Sequence, residues 1–379
     1  MAKGHSLLGA SSAARWLACP GSFDLVQLVG EEPESEHAAL GTAAHKVVEM
    51  ALNEGKDAWE FVGQKIDGFD VAPDRDDAID PIALQVYLDY ISAITDEADY
   101  VEVEHTFGKK YKPNPYFWGT ADFVAVSDRL HVVDYKNGAG IEVDAVGSPQ
   151  LQYYAWGAIN ELDFDFPDDM PARLAIVQPR SSHGSEPKEW VTTVGAIRKW
   201  ATEVLLPGMD RAISGAGDLQ TGEHCRFCPA RLACPAARAD FEAVATATAD
   251  VSDEALDRLY LQMQTAKIVM KAIEARILAR CMEGAKFEHI KLVKKRTTRT
   301  WKEGVEPKIV EALGDDAYVR SLVSPAQAEK ISSKMKAFVA ENAFLPESDG
   351  YTIALATSPT PEATPSSDLA RQFAHYDVN

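Results

Sequence analysis

Asp122, Asp134 and Lys136 stand on two apolar runs, GTADFVAV and LHVVDYK, whose composition reads as paired strands. If residues 127–129 form a three-residue hairpin loop, Val126 pairs with Leu130, and that register sets Asp122 directly opposite Asp134. Lys136, two residues on, projects from the same face. Two carboxylates and an ammonium among apolar neighbours need partners, because an unpaired buried charge is costly. A hard divalent cation, Mg²⁺ or Mn²⁺, takes carboxylate oxygens and keeps water. A lysine beside it can orient or deprotonate an attacking water. The plainer reading of the D-x-K triplet by itself is an Asp–Lys salt bridge at a sheet edge. His45 and Glu49 in GTAAHKVVEM, and Gln150 and Tyr154 in PQLQYYAWG, are each four residues apart and share a helix face.

Five cysteines form the second group: Cys19, Cys225, Cys228, Cys234 and Cys281. An odd, low count does not describe a disulfide framework. Three of them make a C-x2-C-x5-C run, CRFCPARLAC, a spacing that lets a short loop turn several sulfurs toward one centre. Cys19 and Cys281 are the candidates for a fourth ligand. Cys281 sits in a helical pattern that offers an inert home to a buried thiol. Cys19, Cys228 and Cys234 each precede a proline, as in some iron–sulfur ligand runs. Spacing leaves zinc and an iron–sulfur cluster both open.

The elements that must hold these groups read as helices near 38–53 and 81–96, three strands from Tyr100, a helix over PQLQYYAWGAINEL, a strand ARLAIV, and a helix over 194–206. That order predicts an α/β core with a mixed sheet. Asp253–Glu283 is one long helical pattern, and 305–343 reads as helical again. The expected organisation is a core over 1–245, a mostly helical extension over 250–356, and a flexible Pro/Ser/Thr-rich tail over 357–379.

Taken in order, GTAAHKVVE, GTADFVAV, VVDYKNG, PQLQYYAWG and CRFCPARLAC, with the early cysteine in ACPG, resemble the PD-(D/E)xK nuclease superfamily. The likeness is to its RecB-like, AddB-like iron–sulfur branch, and above all to the stand-alone nucleases of phages and prophages. It covers roughly residues 10–240. It implies a restriction-endonuclease-like core whose mixed central sheet is flanked by helices, and phosphodiester hydrolysis of DNA, with exonuclease action on single strands or ends. It assigns His45, Asp122 and Asp134 as metal ligands, with the Tyr135 carbonyl a fourth. Lys136 would position water, and Gln150 and Tyr154 would contact the active site or the nucleic-acid backbone. It makes Cys19, Cys225, Cys228 and Cys234 the ligands of a [4Fe–4S] cluster, with zinc the alternative, in a structural role. Glu49 and Glu104 would stand behind the ligands or simply be solvated. A nuclease that processes DNA for CRISPR integration and a non-cleaving DNA-binding assembly module are the competing readings.

Composition bounds these readings. The 38 basic and 58 acidic residues leave a net charge of −20, which argues against coating nucleic acid by bulk charge. The acidity is uneven: residues 31–104 carry 20 acidic and 4 basic side chains, whereas 286–302 carries seven basic residues and one acidic. Lys291, Lys294, Lys295, Arg296 and Arg299 in that strip are candidate DNA contacts, against an equal reading as a solvated hairpin face. No apolar run approaches a membrane span, and the N-terminus lacks a secretory pattern, so the expectation is a soluble protein of the cytoplasm, the bacterial host's if phage-encoded. There is no G-x-x-x-x-G-K-[ST] phosphate loop. The expected partners are therefore DNA and a helicase, single-strand-binding or recombination protein, with no membrane.

Overall fold

The computed structural model describes residues 6–364 apart from 31–35, 74, 76, 182–185, 216, 248–251, 296, 298–299, 303, 318–322, 329–332, 345–350 and 356–359. The chain divides into two compact units, residues 1–269 and 270–379. The division falls within an unbroken helix, Asp253–Met282, and not near residue 245. That helix contains neither glycine nor proline, so nothing local marks the boundary.

The first unit begins with short helices α1 (Ala13–Ala18) and α2 (Ser22–Val29), followed by the long α3 (Glu36–Glu54). A two-stranded ribbon, β1 (Lys65–Ile66) and β2 (Phe69–Asp70), precedes α4 (Pro81–Thr95). Asp80 caps α4 by accepting the Ile82 N–H, and Pro81 fills the first turn, where a missing donor is harmless. Then come β3 (Tyr100–Phe107), β4 (Gly119–Val126), β5 (Leu130–Tyr135), α5 (Pro149–Glu161), β6 (Pro171–Val177) and β7 (Lys188–Thr193). The five strands form one mixed sheet in the order β3-β4-β5-β6-β7, with β5 and β6 parallel and the other pairs antiparallel. The α/β class and the mixed sheet expected from the sequence are present. The edge strand β7 is the element that the sequence pattern does not announce. Its residues are half-buried to exposed, so KEWVTT carries little apolar alternation.

Two cores flank the sheet. On one face Val124, Val126, Leu130 and Val132 pack against α5 and the N-terminal helices. On the other, Phe123, Ala125, Val133 and Tyr135 pack against α3 and α4. Helix α5 is buried nearly all round, as expected of a helix without a solvent face. Gly157 is required there: a Cβ on it would stand 2.4 Å from the Phe107 ring.

After β7, α6 (Val194–Trp200) does not stop at Leu206 as its pattern suggests. It passes through a π-helical turn, Ala201–Leu205, into α7 (Leu206–Ile213). The wide turn takes up the hydrogen bond that Pro207 cannot donate. Helix α8 (Pro235–Thr246) and the start of α9 (Asp253–Met282) complete the unit.

In the second unit β8 (Ile290–Lys294) pairs with the distant Tyr351–Leu355. A small core joins Trp301, Val305, Ile309 and Phe338. Of the tail, 360–364 is described, and the Ala363 N–H donates to the Leu292 carbonyl at 2.7 Å. The rest of 357–379 lies outside the described residues. Among the described residues no helix is long and apolar enough to cross a membrane.

Candidate metal centre

β4 and β5 pair from Val126↔Leu130 to Phe123↔Val133, and the Ser127 N–H closes the loop onto the Arg129 carbonyl at 2.9 Å. Continuing that register sets Asp122 opposite Asp134, on the sheet face that meets α5. Asp134 is 2% exposed. Its Oδ2 lies 2.9 Å from Lys136 Nζ, an ion pair without the alignment of a hydrogen bond. The Asp122 Oδ2 accepts the Tyr135 N–H at 2.8 Å, which leaves Oδ1 to face His45 Nδ1 at 3.5 Å. The Tyr135 ring is buried against His45 and Tyr87, with centroids 5.3 and 5.2 Å away.

Two helices deliver the remaining groups. Ser148 caps α5 by accepting the Leu151 N–H, and this fixed entry points Gln150 at the strands. Its Oε1 accepts from Lys136 Nζ at 3.1 Å, and its Nε2 donates to Asp134 Oδ1 at 2.9 Å and to the Tyr154 hydroxyl at 3.0 Å. One carboxamide thus ties together three of the groups named from the sequence. Helix α3, on the other face, contributes His45.

Glu104 belongs to the site more fully than its sequence position suggests. His45, Glu104 and Asp122 each offer a ligand atom, and the three atoms lie within 4.8 Å of one another. The β3–β4 register keeps one offset on both sides of Glu104, at Val103↔Phe123 and His105↔Ala121, and the ladder skips Glu104 and Asp122 between them. Glu104 has φ +54, a left-handed conformation costing a non-glycine residue about 1–3 kcal/mol. It also reverses the strand's alternation. Val101 and Val103 pack on the α3/α4 core, whereas Phe107 joins the opposite one. No local sequence signal marks such a residue. Glu49 is half-buried on α3 and is not part of this group.

The donor set fits a hard divalent cation: carboxylate oxygens and one imidazole nitrogen, with the buried Asp134 Oδ2 lacking an aligned donor. Burial pushes the Asp134 carboxyl above the usual carboxylate range. Lys136 opposes that shift, and Asp122 reinforces it. Burial likewise raises the Tyr154 phenol far above its ordinary value, with Asp134 and Asp122 adding to it.

The cysteine run lies beside the N-terminal helices. The Cys19 sulfur, at the end of α1, accepts the Gln220 N–H at 3.2 Å across 201 residues. Backbones pass so closely here that a Cβ on Gly21 would fall 2.6 Å from the Gly217 carbonyl, and one on Gly217 2.5 Å from Pro20. Cys228 and Cys234 each precede a helical turn that opens with proline. All five cysteines are free and buried. No three of their sulfurs lie within 4.8 Å of one another, so the cysteines are not gathered into one ligand set. Burial pushes the Cys19 thiol up, but hydrogen bonds from His224 and Gln220 outweigh it and hold the thiol below its usual value. His224 is raised to about 10 by its hydrogen bonds to Cys19 and Cys225. Cys281 packs with Met282, Leu292 and Leu278 in the second unit.

A family model for proteins of unknown function, DUF2800, matches residues 5–359. The chain belongs to the DUF2800 family. A solved protein, described as the crystal structure of SSO0001, is similar at 14% identity over 57% of this chain and 94% of that one. Its TM-score is 0.23, and the likeness carries no argument.

In this DUF2800 chain the basic strip is not one charged face. Lys291 and Lys294 lie three residues apart on β8, so they project to opposite sides of the ribbon. Lys294 and Lys295 are exposed and Lys291 is half-buried. Arg296 and Arg299 lie outside the described residues.

Proposed function

We propose that this DUF2800 protein is a divalent-metal-dependent deoxyribonuclease with a PD-(D/E)xK core, acting on single strands or ends of DNA. One observation carries the reading. Two strand pairings and two helices gather His45, Glu104, Asp122, Asp134, Lys136 and Gln150 at one end of the sheet. His45, Glu104, Asp122 and Asp134 would hold Mg²⁺ or Mn²⁺. The bound cation supplies Lewis-acid polarisation of a phosphoryl oxygen and makes water a stronger nucleophile.

The protein's own groups supply position and charge. Burial pulls the Lys136 ammonium down, but the Asp134 and Asp122 carboxylates more than offset it and keep the group protonated. Lys136 then faces the reacting phosphate as a fixed cation that orients water and offsets charge on the phosphoryl group. Gln150 holds Lys136 and Asp134 in their relative positions through its two ends. With no phosphate loop in the chain, unwinding would fall to a partner motor or to an already frayed end.

The four cysteines Cys19, Cys225, Cys228 and Cys234 are assigned to an iron–sulfur cluster. What supports this is the C-x2-C-x5-C spacing and the approach of the Cys19 sulfur to the Gln220 N–H, just before that run. Such a cluster would hold the N-terminal helices to the segment after the sheet.

The test is cleavage of labelled single- and double-stranded DNA with Mn²⁺ or Mg²⁺, comparing wild type with Asp134→Ala. Metal-dependent cleavage by wild type alone supports the proposal. Equal cleavage by both proteins, or none by either, overturns it.

A further inference from the structure

The chain just beyond Lys136 is held in place by side chains outside the metal site. The Lys136 N–H donates to the Val177 carbonyl at 2.9 Å, extending the β5–β6 ladder by one bond. Gln178, the residue after β6, then takes over with its side chain, which is 6% exposed. Its Nε2 donates to the Gly138 carbonyl at 2.6 Å and to the Ile141 carbonyl at 2.7 Å, and its Oε1 accepts the Val143 N–H at 3.0 Å. Removing one buried carboxamide would leave three backbone groups to find new partners. Residues 138–143 are therefore fixed, although they belong to no helix or strand.

This clamp leaves a set of hydrogen-bond donors unused. Asn137 is 8% exposed. Its Oδ1 accepts from the Tyr135 hydroxyl at 3.1 Å, which orients the carboxamide. Its Nδ2 donates to no described residue, and it is not sealed from solvent. Ala139 and Gly140 are exposed, and their N–H groups likewise have no partner among the described residues. Gly138 and Gly140 do not have a left-handed φ, and a Cβ on either would meet nothing within 4 Å. Neither backbone conformation nor internal packing asks for glycine here, whereas close approach by an outside group does. The acidic side chain of the segment, Glu142, is paired with Lys188 at 2.5 Å.

We infer that Asn137 Nδ2 and the Ala139 and Gly140 N–H groups form an edge that binds a phosphate of the DNA strand next to the one Lys136 faces, with Gln178 as the residue that positions the edge. The inference rests on the nuclease reading above and says where the backbone of that substrate lies. Phosphate oxygens only accept, so pre-oriented donors, backbone N–H groups included, match them without reading sequence. Ala139 and Gly140 are three and four residues past Lys136, at most about 14 Å along the chain, so the edge adjoins its ammonium.

Full-length wild type, Asn137→Asp, Gly140→Val and Gln178→Met are compared in three assays. These are a thermal melt, cleavage of labelled single-stranded DNA with Mn²⁺, and fluorescence anisotropy of that DNA with Ca²⁺ in place of Mn²⁺. Asn137→Asp keeps the acceptor for Tyr135 and puts an anion where the donor was. Gly140→Val enters open space, so its melting temperature should stay within about 2 °C of wild type. Both should raise KM and weaken DNA binding about tenfold, with kcat within about threefold of wild type. A segment that only supports the fold would leave KM unchanged in Gly140→Val. Gln178→Met keeps the length and removes the three bonds, so it should weaken binding in the same direction, and wild-type binding would refute its positioning role. KM and binding within about twofold of wild type in both Asn137→Asp and Gly140→Val overturn the inference. If Asn137→Asp does not fold, Gly140→Val decides. If wild type binds DNA without cleaving it, the nuclease reading falls and the anisotropy comparison still decides the edge. If wild type neither binds nor cleaves, both fall.

Discussion

Replacing Gln150 with alanine tests whether the site works as a hydrogen-bonded unit. The substitution removes the acceptor at 3.1 Å from Lys136 Nζ and the donor at 2.9 Å from Asp134 Oδ1, along with the bond to Tyr154. Hydrogen bonds to charged groups contribute about 1.5–3 kcal/mol. If that loss falls on the transition state, at about 1.36 kcal/mol per tenfold, kcat drops about 10- to 150-fold. The Gln150 contacts are to Lys136, Asp134 and Tyr154, so KM for DNA should change by less than about threefold while kcat falls. The same loss taken as stability lowers the melting temperature by about 3–12 °C for a unit of this size. Steady-state cleavage of labelled DNA at saturating Mn²⁺, beside a thermal melt, gives both numbers. A Gln150→Ala protein with kcat within twofold of wild type would refute the claim that this carboxamide positions Lys136 and Asp134. Gln150→Met, which keeps the length and removes the hydrogen bonds, should match the alanine variant if bonding and not packing is at issue.

Glu104→Gln should weaken Mn²⁺ binding by about tenfold, roughly 1.4 kcal/mol, and Glu49→Gln should leave it unchanged; isothermal titration of the two variants separates a ligand from a bystander. Gly217→Ala drives a Cβ to 2.5 Å from Pro20, so it should destabilise the first unit by about 1–3 kcal/mol, read as a lower melting temperature; an unchanged melt would mean that the two segments do not pack as described. His131 is lowered to about 4 by burial, with Arg173 and Arg129 pushing the same way and Asp128 and Glu189 opposing. The unfolded chain therefore binds this proton first as pH falls. The stability tied to neutral His131 is complete above about pH 6.5 and is lost as pH falls toward 4. It amounts to about 1–3 kcal/mol once solvent screening at the nearby Arg129–Asp128 pair is allowed for. Denaturant melts from pH 7 to pH 4 should show that slope in wild type and a flatter one in His131→Leu, and parallel slopes would count against it.

How far the site was legible follows from the range of the interactions that build it. Asp122, Asp134 and Lys136 were readable because a short hairpin fixes its register locally and strand side chains alternate with period two. Glu104 was not, because that rule breaks at Glu104 itself, where a left-handed φ moves the following residues to the other core. Gln150 and Tyr154 could be paired on one helix face, but their meeting with Lys136 and Asp134 depends on how α5 packs against β4 and β5. The basic strip shows the reverse case. Its charge was plain in the sequence, yet strand geometry sends Lys291 and Lys294 to opposite sides.

By itself, then, the sequence determined what short-range physics controls. That comprises the order of α3, α4, β3 to β5, α5 and β6, the three-residue loop at 127–129, the proline-led turns after Cys228 and Cys234, and the donor types available for a hard cation and for a soft one. Tertiary structure decided what depends on contacts between distant segments. It added β7 to the sheet edge, carried α6 through Pro207 by a π turn, and turned Glu104 toward His45 and Asp122. It also brought the Gln220 N–H to the Cys19 sulfur, 201 positions away. A carboxylate or guanidinium has the same local pattern whether solvated or buried. Only the packing around it fixes its desolvation and its partners, and those two terms decide its chemistry.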